Sequence, residues 1–157
     1  MLRILAGLFL LASAAPAMAA MPAYLDDRST PQSLIRSYYN AINRGEYARA
    51  YSYYPQDTLP PFTVWAKGYA NTQSVEVLTG KALPDPGAGN IYYNLPVAIR
   101  SVGKDGKTQI FGGCYVLHIT SYGMQTEPPY RPMTIRSGQL RKSTGSLKQA
   151  LPKSCAP

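Results

Sequence analysis

The sequence is poor in the side chains that most enzymes and metal sites use. It holds two cysteines and one histidine, His118, so a zinc site of two cysteines and two histidines is excluded by count. It has no phosphate-binding glycine loop, no GxSxG nucleophile motif and no metal-ligand spacing. Acidic residues are also few, eight against sixteen lysines and arginines. We therefore predict no catalytic residue, no metal and no cofactor.

Long apolar runs are absent as well. The chain starts with one charge at Arg3, an apolar stretch over residues 4–15 and small residues that end at Ala19. This stretch is shorter than the roughly 20 residues that a transmembrane helix needs. A basic start, an apolar core and a small-residue end are typical of a signal peptide. We expect residues 1–19 to be removed near Ala19 and the chain to be periplasmic or secreted from a bacterium.

The two cysteines, Cys114 and Cys155, both lie beyond the expected cleavage site. In an exported chain, an even pair of cysteines is more typical of a disulfide than of a metal site, because the compartment is oxidising and other ligands are scarce. We expect a Cys114–Cys155 disulfide that ties the C-terminal tail to the rest of the domain.

Helical periodicity dominates the first half of the expected mature chain. Residues 20–29 show no sustained period and are predicted to form a lead-in segment. Apolar residues then recur at helical spacing from Thr30, a suitable N-cap, to Gly45, a suitable helix end. Two further helical patterns cover residues 46–54 and 62–69.

The second half of the chain changes to a period of two, which is typical of strands. Alternation is clear over residues 74–79, 91–99 and 111–119, and a tight-turn sequence at residues 103–106 predicts a hairpin between the last two.

Other features of this half complete the predicted fold. Residues 83–90 are predicted to be a proline- and glycine-rich loop, and the pair Gly112-Gly113 indicates a bulge or sharp curvature. A last strand is predicted near residues 133–140, with a helical turn at 146–150. Helices first and a curved antiparallel sheet second predict an α+β fold.

The helical opening resembles a known family. Residues 34–51, LIRSYYNAINRGEYARAY, resemble the first helix, turn and second helix of the nuclear transport factor 2-like superfamily. The resemblance implies that residues 30–157 form a single cone-shaped domain, with helices closing the concave side of the sheet around an apolar pocket. Exported bacterial proteins of unknown function, with a disulfide-tied tail, are the subtype that this chain resembles most.

This resemblance does not select a function. Some members are ketosteroid isomerase-like or dehydratase-like enzymes, and many others only bind ligands or partners. An enzyme of this kind would need a carboxyl group or His118 inside the cone, with a perturbed pKa. The resemblance also implies that a homodimer could form through the sheet.

Tyrosine is unusually abundant, with 13 tyrosines against 3 phenylalanines. A pocket lined by tyrosine can both stack on a ligand and form hydrogen bonds to it. We therefore predict an exported, non-enzymatic domain that binds a small amphipathic molecule or a protein partner. The alternative is that these aromatic side chains only fill the core. The candidate pocket residues are Tyr38, Tyr51, Tyr54, Trp65, Tyr69, Tyr93 and Tyr115.

Basic residues are concentrated in the last third of the chain. If the tail folds back over the sheet edge, they would form one positive face that could meet a polyanionic component of the cell envelope. No nucleic acid is expected as a partner in that compartment. Solubility alone explains the basic tail equally well. The residues are Arg131, Arg136, Arg141, Lys142, Lys148 and Lys153.

Overall fold

The computed structural model describes residues 21–155, so the predicted signal peptide at residues 1–19 lies outside the described residues. These residues form four helices, five strands and a short 3-10 turn, which is the α+β class that the sequence predicts. In chain order the elements are α1 (Pro31–Asn43), α2 (Tyr47–Tyr51), α3 (Phe62–Lys67), β1 (Thr72–Thr79), β2 (Leu83–Gly87), β3 (Asn90–Gly103), β4 (Thr108–Thr120), the 3-10 turn (Tyr122–Met124), β5 (Thr134–Ser143) and α4 (Leu147–Ala150).

Helix α1 begins and ends where the sequence predicts. The Ser33 backbone N–H donates to Thr30 Oγ1 at 3.1 Å, and Pro31 occupies the first turn, where its missing donor is not needed. Gly45 follows with a φ of +69°, a left-handed conformation that glycine adopts without strain. Helix α2 is shorter than predicted, because it ends at Tyr51 and is followed by turns.

The segment before α1 has no helix or strand but is attached to the helices by hydrogen bonds. The Asp27 backbone N–H donates to Ser37 Oγ at 2.8 Å, and the Arg49 guanidinium donates to the Leu25 carbonyl oxygen at 2.8 Å. The Tyr53 hydroxyl donates to Asp26 Oδ1 at 2.7 Å. The predicted lead-in segment therefore packs against α1 and α2.

The strands form one curved antiparallel sheet in the order β1-β3-β4-β5, and β2 pairs with the first half of β3. The long β3–β4 hairpin is confirmed, and its register runs from Val102 opposite Thr108 to Asn90 opposite Thr120. The last predicted strand and the last helical turn are also present, as β5 and α4.

The predicted loop at residues 83–90 is wrong, because Leu83–Gly87 forms strand β2. Both prolines of β2 are tolerated because an exposed edge strand has N–H groups that need no ladder partner. Ala88 and Gly89 both have positive φ, +46° and +79°, and form the two-residue turn into β3. The pairing with β3 stabilises this strand, since its own sequence has no alternation of apolar and polar residues.

Of the bulge or sharp curvature predicted at Gly112-Gly113, the bulge is not found there. Both glycines stay in register with β3 and β5, and the irregularity in β4 falls between Val116 and Leu117 instead. A Cβ at Gly112 would overlap the Ala150 carbonyl oxygen, and one at Gly113 would overlap backbone of β5. The two glycines therefore permit close approach of backbone, which is the other common reason for glycine in a strand.

The hydrophobic core lies between α1, α2 and one face of the sheet, and its strand residues have the predicted alternation. Helix α4 packs on the other face, against β3 and β4. The buried members of the core are Leu34, Ile35, Tyr38, Tyr39, Ala41, Ile42, Ala50, Tyr53, Val75, Leu95, Val97, Ile99, Tyr115, Leu117, Ile119, Met133 and Ile135.

The disulfide is confirmed between Cys114 on β4 and Cys155 in the tail after α4, with a Cα–Cα distance of 5.9 Å. A structural disulfide of this kind indicates folding in an oxidising compartment. Between residues 21 and 155, no helix has the length and apolar character needed to span a bilayer.

Candidate functional site

A cavity of about 430 Å³ lies between the helices and the sheet and is the candidate site. We call it the aromatic cavity. Helix α1 supplies one wall, the end of α3 and the turn after it supply a second, and β3, β4 and β5 form the floor. Its lining residues are Tyr38, Tyr39, Tyr54, Trp65, Gly68, Tyr69, Thr72, Val75, Ile99, Ser101, Phe111, Tyr115, Gly138 and Leu140.

Two pairs of tyrosine hydroxyls are hydrogen-bonded in this cavity. The hydroxyls of Tyr39 and Tyr115 are 2.6 Å apart, and those of Tyr38 and Tyr69 also bond to each other. Each pair bond uses one O–H and one lone pair, so each pair keeps a second O–H and several acceptor sites. The lining can therefore donate hydrogen bonds to a ligand and accept them from it.

The rings are held by edge-to-face packing. The Tyr38 and Tyr39 ring centroids are 4.9 Å apart at 70°, and those of Tyr38 and Tyr54 are 5.7 Å apart at 74°. Trp65 packs on Tyr69 with centroids 5.0 Å apart. Such arrangements are favoured by the ring quadrupoles and restrain the orientation of each ring.

The hydroxyls of the cavity are poor acids. Burial raises the pKa of Tyr38 and Tyr115 well above the usual value, and it also raises the pKa of Tyr39, Tyr54 and Tyr69. The cause is the cost of placing a phenolate where little water can reach it. These groups stay neutral near neutral pH and act as hydrogen-bond donors and acceptors.

The lining contains no carboxylate, amine, imidazole or guanidinium group in the described part of the chain. A charged ligand would lose its hydration in this cavity without gaining a counter-charge. The composition therefore suits a neutral molecule that has both an apolar surface and hydrogen-bonding groups.

Five of the seven predicted pocket residues come together in the cavity. They are Tyr38, Tyr54, Trp65, Tyr69 and Tyr115. The other two lie elsewhere. The Tyr51 hydroxyl donates to the Pro60 carbonyl oxygen at 2.9 Å, and its ring packs against Trp65 with centroids 5.3 Å apart. Tyr93 lies on β3 between Pro84 and Leu117 of the neighbouring strands.

Nine of the fourteen lining residues are missing from the sequence prediction, among them Tyr39 and Gly138. Tyr39 follows Ile35 by four residues and precedes Ile42 by three, so helical spacing could have placed it on the inner face. Gly138 has no such signal. It pairs with Tyr115 across the sheet, and a Cβ there would overlap the Tyr115 ring. Gly138 therefore makes room for that ring over β5.

The predicted basic residues are distributed over several surfaces. Arg141 and Lys142 lie opposite Gly112 and Phe111, which are neighbours in β4 and therefore face opposite sides of the sheet. Lys148 and Lys153 are exposed in α4 and the tail beyond it. Arg131 and Arg136 line a separate groove near the start of β5.

His118 lies on the side of β4 that faces away from the core residues Leu117 and Ile119. Its Nε2 is 2.7 Å from Asn90 Oδ1, and its ring packs against Tyr92 with centroids 4.7 Å apart. Burial, and then the nearby positive charge of Arg136, lower the pKa of His118. His118 does not line the aromatic cavity.

No protein-family model, curated protein or solved structure matches the chain. Within residues 21–155, no three histidine, cysteine, aspartate or glutamate side chains come together in a way that could hold a metal ion.

Proposed function

We propose that this chain is an exported binding domain whose aromatic cavity takes a small, uncharged, amphipathic molecule. The observation that supports the proposal most is the lining of the cavity, where hydroxyl pairs and aromatic rings surround a volume of about 430 Å³ without an ionic group. That volume falls in the usual range for small-molecule sites.

The wider proposal includes membership of the nuclear transport factor 2-like superfamily and a bacterial periplasmic or secreted location. The order of helices before a curved antiparallel sheet supports the family. The Cys114–Cys155 disulfide and the basic, apolar and small-residue order of residues 1–19 support export.

An isomerase-like or dehydratase-like activity is less well supported by this geometry. Such an enzyme would need a general base within reach of its substrate. The described lining offers only tyrosine hydroxyls with raised pKa values, and His118 lies on the other side of the sheet.

The only tryptophan of the chain, Trp65, lines the cavity and provides a direct test. The probe is 1-naphthol, a flat, uncharged molecule with one hydroxyl. We expect it to quench Trp65 fluorescence with a saturable dependence on concentration, and we expect 1-naphthalenesulfonate, which carries a fixed charge, to bind more weakly.

Two matched variants distinguish binding in the aromatic cavity from binding beside it. Tyr115→Phe removes a hydroxyl from the lining, and we expect the affinity for 1-naphthol to fall roughly 2–10-fold, the usual effect of one lost hydrogen bond. Tyr51→Phe makes the same change outside the cavity but still beside Trp65, so its affinity should stay unchanged. Unsaturable quenching, or equal losses in both variants, would contradict the proposal.

A further inference from the structure

A second concave surface lies where β4 ends and β5 begins. It encloses about 910 Å³, and we call it the arginine groove. It is separate from the aromatic cavity, although Tyr54 borders both. Its lining residues are Arg28, Ser52, Tyr54, Pro55, Gln56, His118, Ile119, Thr120, Pro129, Tyr130, Arg131, Pro132, Thr134 and Arg136.

The groove concentrates positive charge without acidic residues in its described lining. Three guanidinium groups, those of Arg28, Arg131 and Arg136, line it. Arg28 is 3.5 Å from Asp26, which partly offsets its charge. Arg131 and Arg136 form no ion pair within residues 21–155. Low-dielectric walls around charges of one sign raise the local concentration of counter-ions.

The arginines of this groove differ from the other arginines described below in their carboxylate partners. Arg44 and Arg49 both contact Glu46 at 2.6 Å, and Arg100 contacts Glu76 at 2.6 Å. Those guanidinium groups have carboxylate partners in the fold. In the arginine groove, Arg131 and Arg136 have no such carboxylate partner among residues 21–155, so solvent ions or a ligand can supply the opposite charge.

The backbone that carries the groove is fixed by hydrogen bonds. The Gln125 side chain accepts from the Arg131 backbone N–H at 2.8 Å and donates to the Thr120 carbonyl oxygen at 2.9 Å. It therefore ties the loop before β5 to the end of β4. On the facing side, Arg28 lies 4.1 Å above the Tyr53 ring and donates to Ser52.

We propose that the arginine groove binds an organic anion, in which a phosphate or carboxylate group contacts Arg131 and Arg136 and a flat portion packs on a tyrosine ring. Guanidinium groups have the planar donor geometry that matches either oxyanion. Tyr54 and Tyr130 line the groove and supply aromatic rings, and the volume exceeds what a lone inorganic ion needs. This proposal does not depend on ligand binding in the aromatic cavity.

The single histidine of the chain reports on this groove, since His118 lines it beside Arg136. The experiment follows the His118 imidazole proton signals by NMR while phenyl phosphate, phenylacetate or inorganic phosphate is added to the purified protein at neutral pH. We expect a saturable shift with at least one of the two aromatic anions, and the tighter of them identifies the preferred oxyanion. Inorganic phosphate should bind at least about tenfold more weakly, because it lacks the ring that stacks on tyrosine.

Two double variants with the same loss of charge provide the control. Arg131→Gln with Arg136→Gln should weaken binding at least about tenfold, because charge-assisted hydrogen bonds are lost. Arg141→Gln with Lys142→Gln removes two exposed charges elsewhere on β5, and its affinity should stay within about twofold. A third variant, Arg131→Lys with Arg136→Lys, keeps the charge and should give an intermediate affinity if the planar geometry matters.

Several outcomes would overturn the proposal. The first is the lack of any saturable His118 shift in a protein whose thermal unfolding is normal. The second is equal binding of inorganic phosphate and phenyl phosphate, which would show that the organic portion of the ligand contributes nothing to the affinity. The third is an equal loss of affinity in the two variants that each lose two positive charges, which would show that binding depends only on the net charge of the protein. The lysine variant keeps the test decisive if the glutamine variant fails to fold.

Discussion

Gly112 marks the place where the C-terminal tail crosses the sheet. Its missing side chain allows the Ala150 carbonyl oxygen of α4 to approach the backbone of β4. The neighbouring disulfide at Cys114 fixes the same crossing two residues further along the strand. The absence of a side chain at Gly112 therefore leaves room for the tail on this strand.

Gly112→Ala is therefore expected to destabilise the protein by about 1–3 kcal/mol, because the added methyl group must push α4 away from β4. Gly123→Ala is the matched control, since a Cβ there meets nothing within 4 Å. That change should be neutral or slightly stabilising through the unfolded chain. Urea unfolding of both variants measures the difference, and equal stabilities would show that the tail does not depend on this contact.

Helix α4 has only four residues, too few to be stable without tertiary contacts. Ser146 and Gln149 form a reciprocal capping box, and Leu147 is buried at 8% exposure. These contacts and the disulfide together hold the tail on the outer face of the sheet. The loop closed by the disulfide spans 41 residues, long enough to restrict the unfolded chain strongly.

Replacing Cys114 and Cys155 by serine is expected to lower the free energy of unfolding by about 4 kcal/mol, the value the chain-entropy model gives for this loop. Amide hydrogen exchange should become faster in α4 while the centre of the β3–β4 hairpin stays protected. Reduction of the unmodified protein should reproduce the result. A loss of stability below about 1 kcal/mol would show that α4 and the capping box hold the tail by themselves.

The elements also show how far local sequence patterns reach. Helix α1 and the β3–β4 hairpin are predictable because their periodicity, caps and turn residues lie within each segment. Strand β2 is not, because only its pairing with β3 distinguishes it from a proline-rich loop.

The candidate site follows the same rule. Five of its aromatic residues are predictable from helical or strand periodicity. Tyr51, the last residue of α2, lies outside the cavity, and its ring packs against Phe62 and Trp65 instead. Gly138 could not be identified, since its role depends on a residue of another strand. The convergence of Arg28 with Arg131 and Arg136 depends on the whole topology, because more than one hundred residues of chain separate them.

At the scale of the whole molecule, the buried tyrosines make the stability of the folded state depend on pH in the alkaline range. Five cavity hydroxyls have raised pKa values in the folded state, whereas an unfolded tyrosine ionises near a pKa of about 10. Above that pH the unfolded chain releases protons that the folded chain retains. The stability of the folded state must therefore decrease as the pH rises.

We expect a steep loss of stability above about pH 10, by up to roughly 1.4 kcal/mol per pH unit for each proton that only the unfolded chain releases. Tyrosinate absorbance should rise in two stages, and the second stage should coincide with the loss of far-ultraviolet circular dichroism, because the buried hydroxyls ionise only when the fold is lost. Tyr54→Phe should reduce the pH dependence of stability, because it removes one proton that the folded chain retains. Ionisation of all the tyrosines in one stage while the fold persists would mean that water reaches the hydroxyls of the aromatic cavity freely, and the cavity would then lack the low polarity on which selection of an uncharged ligand depends.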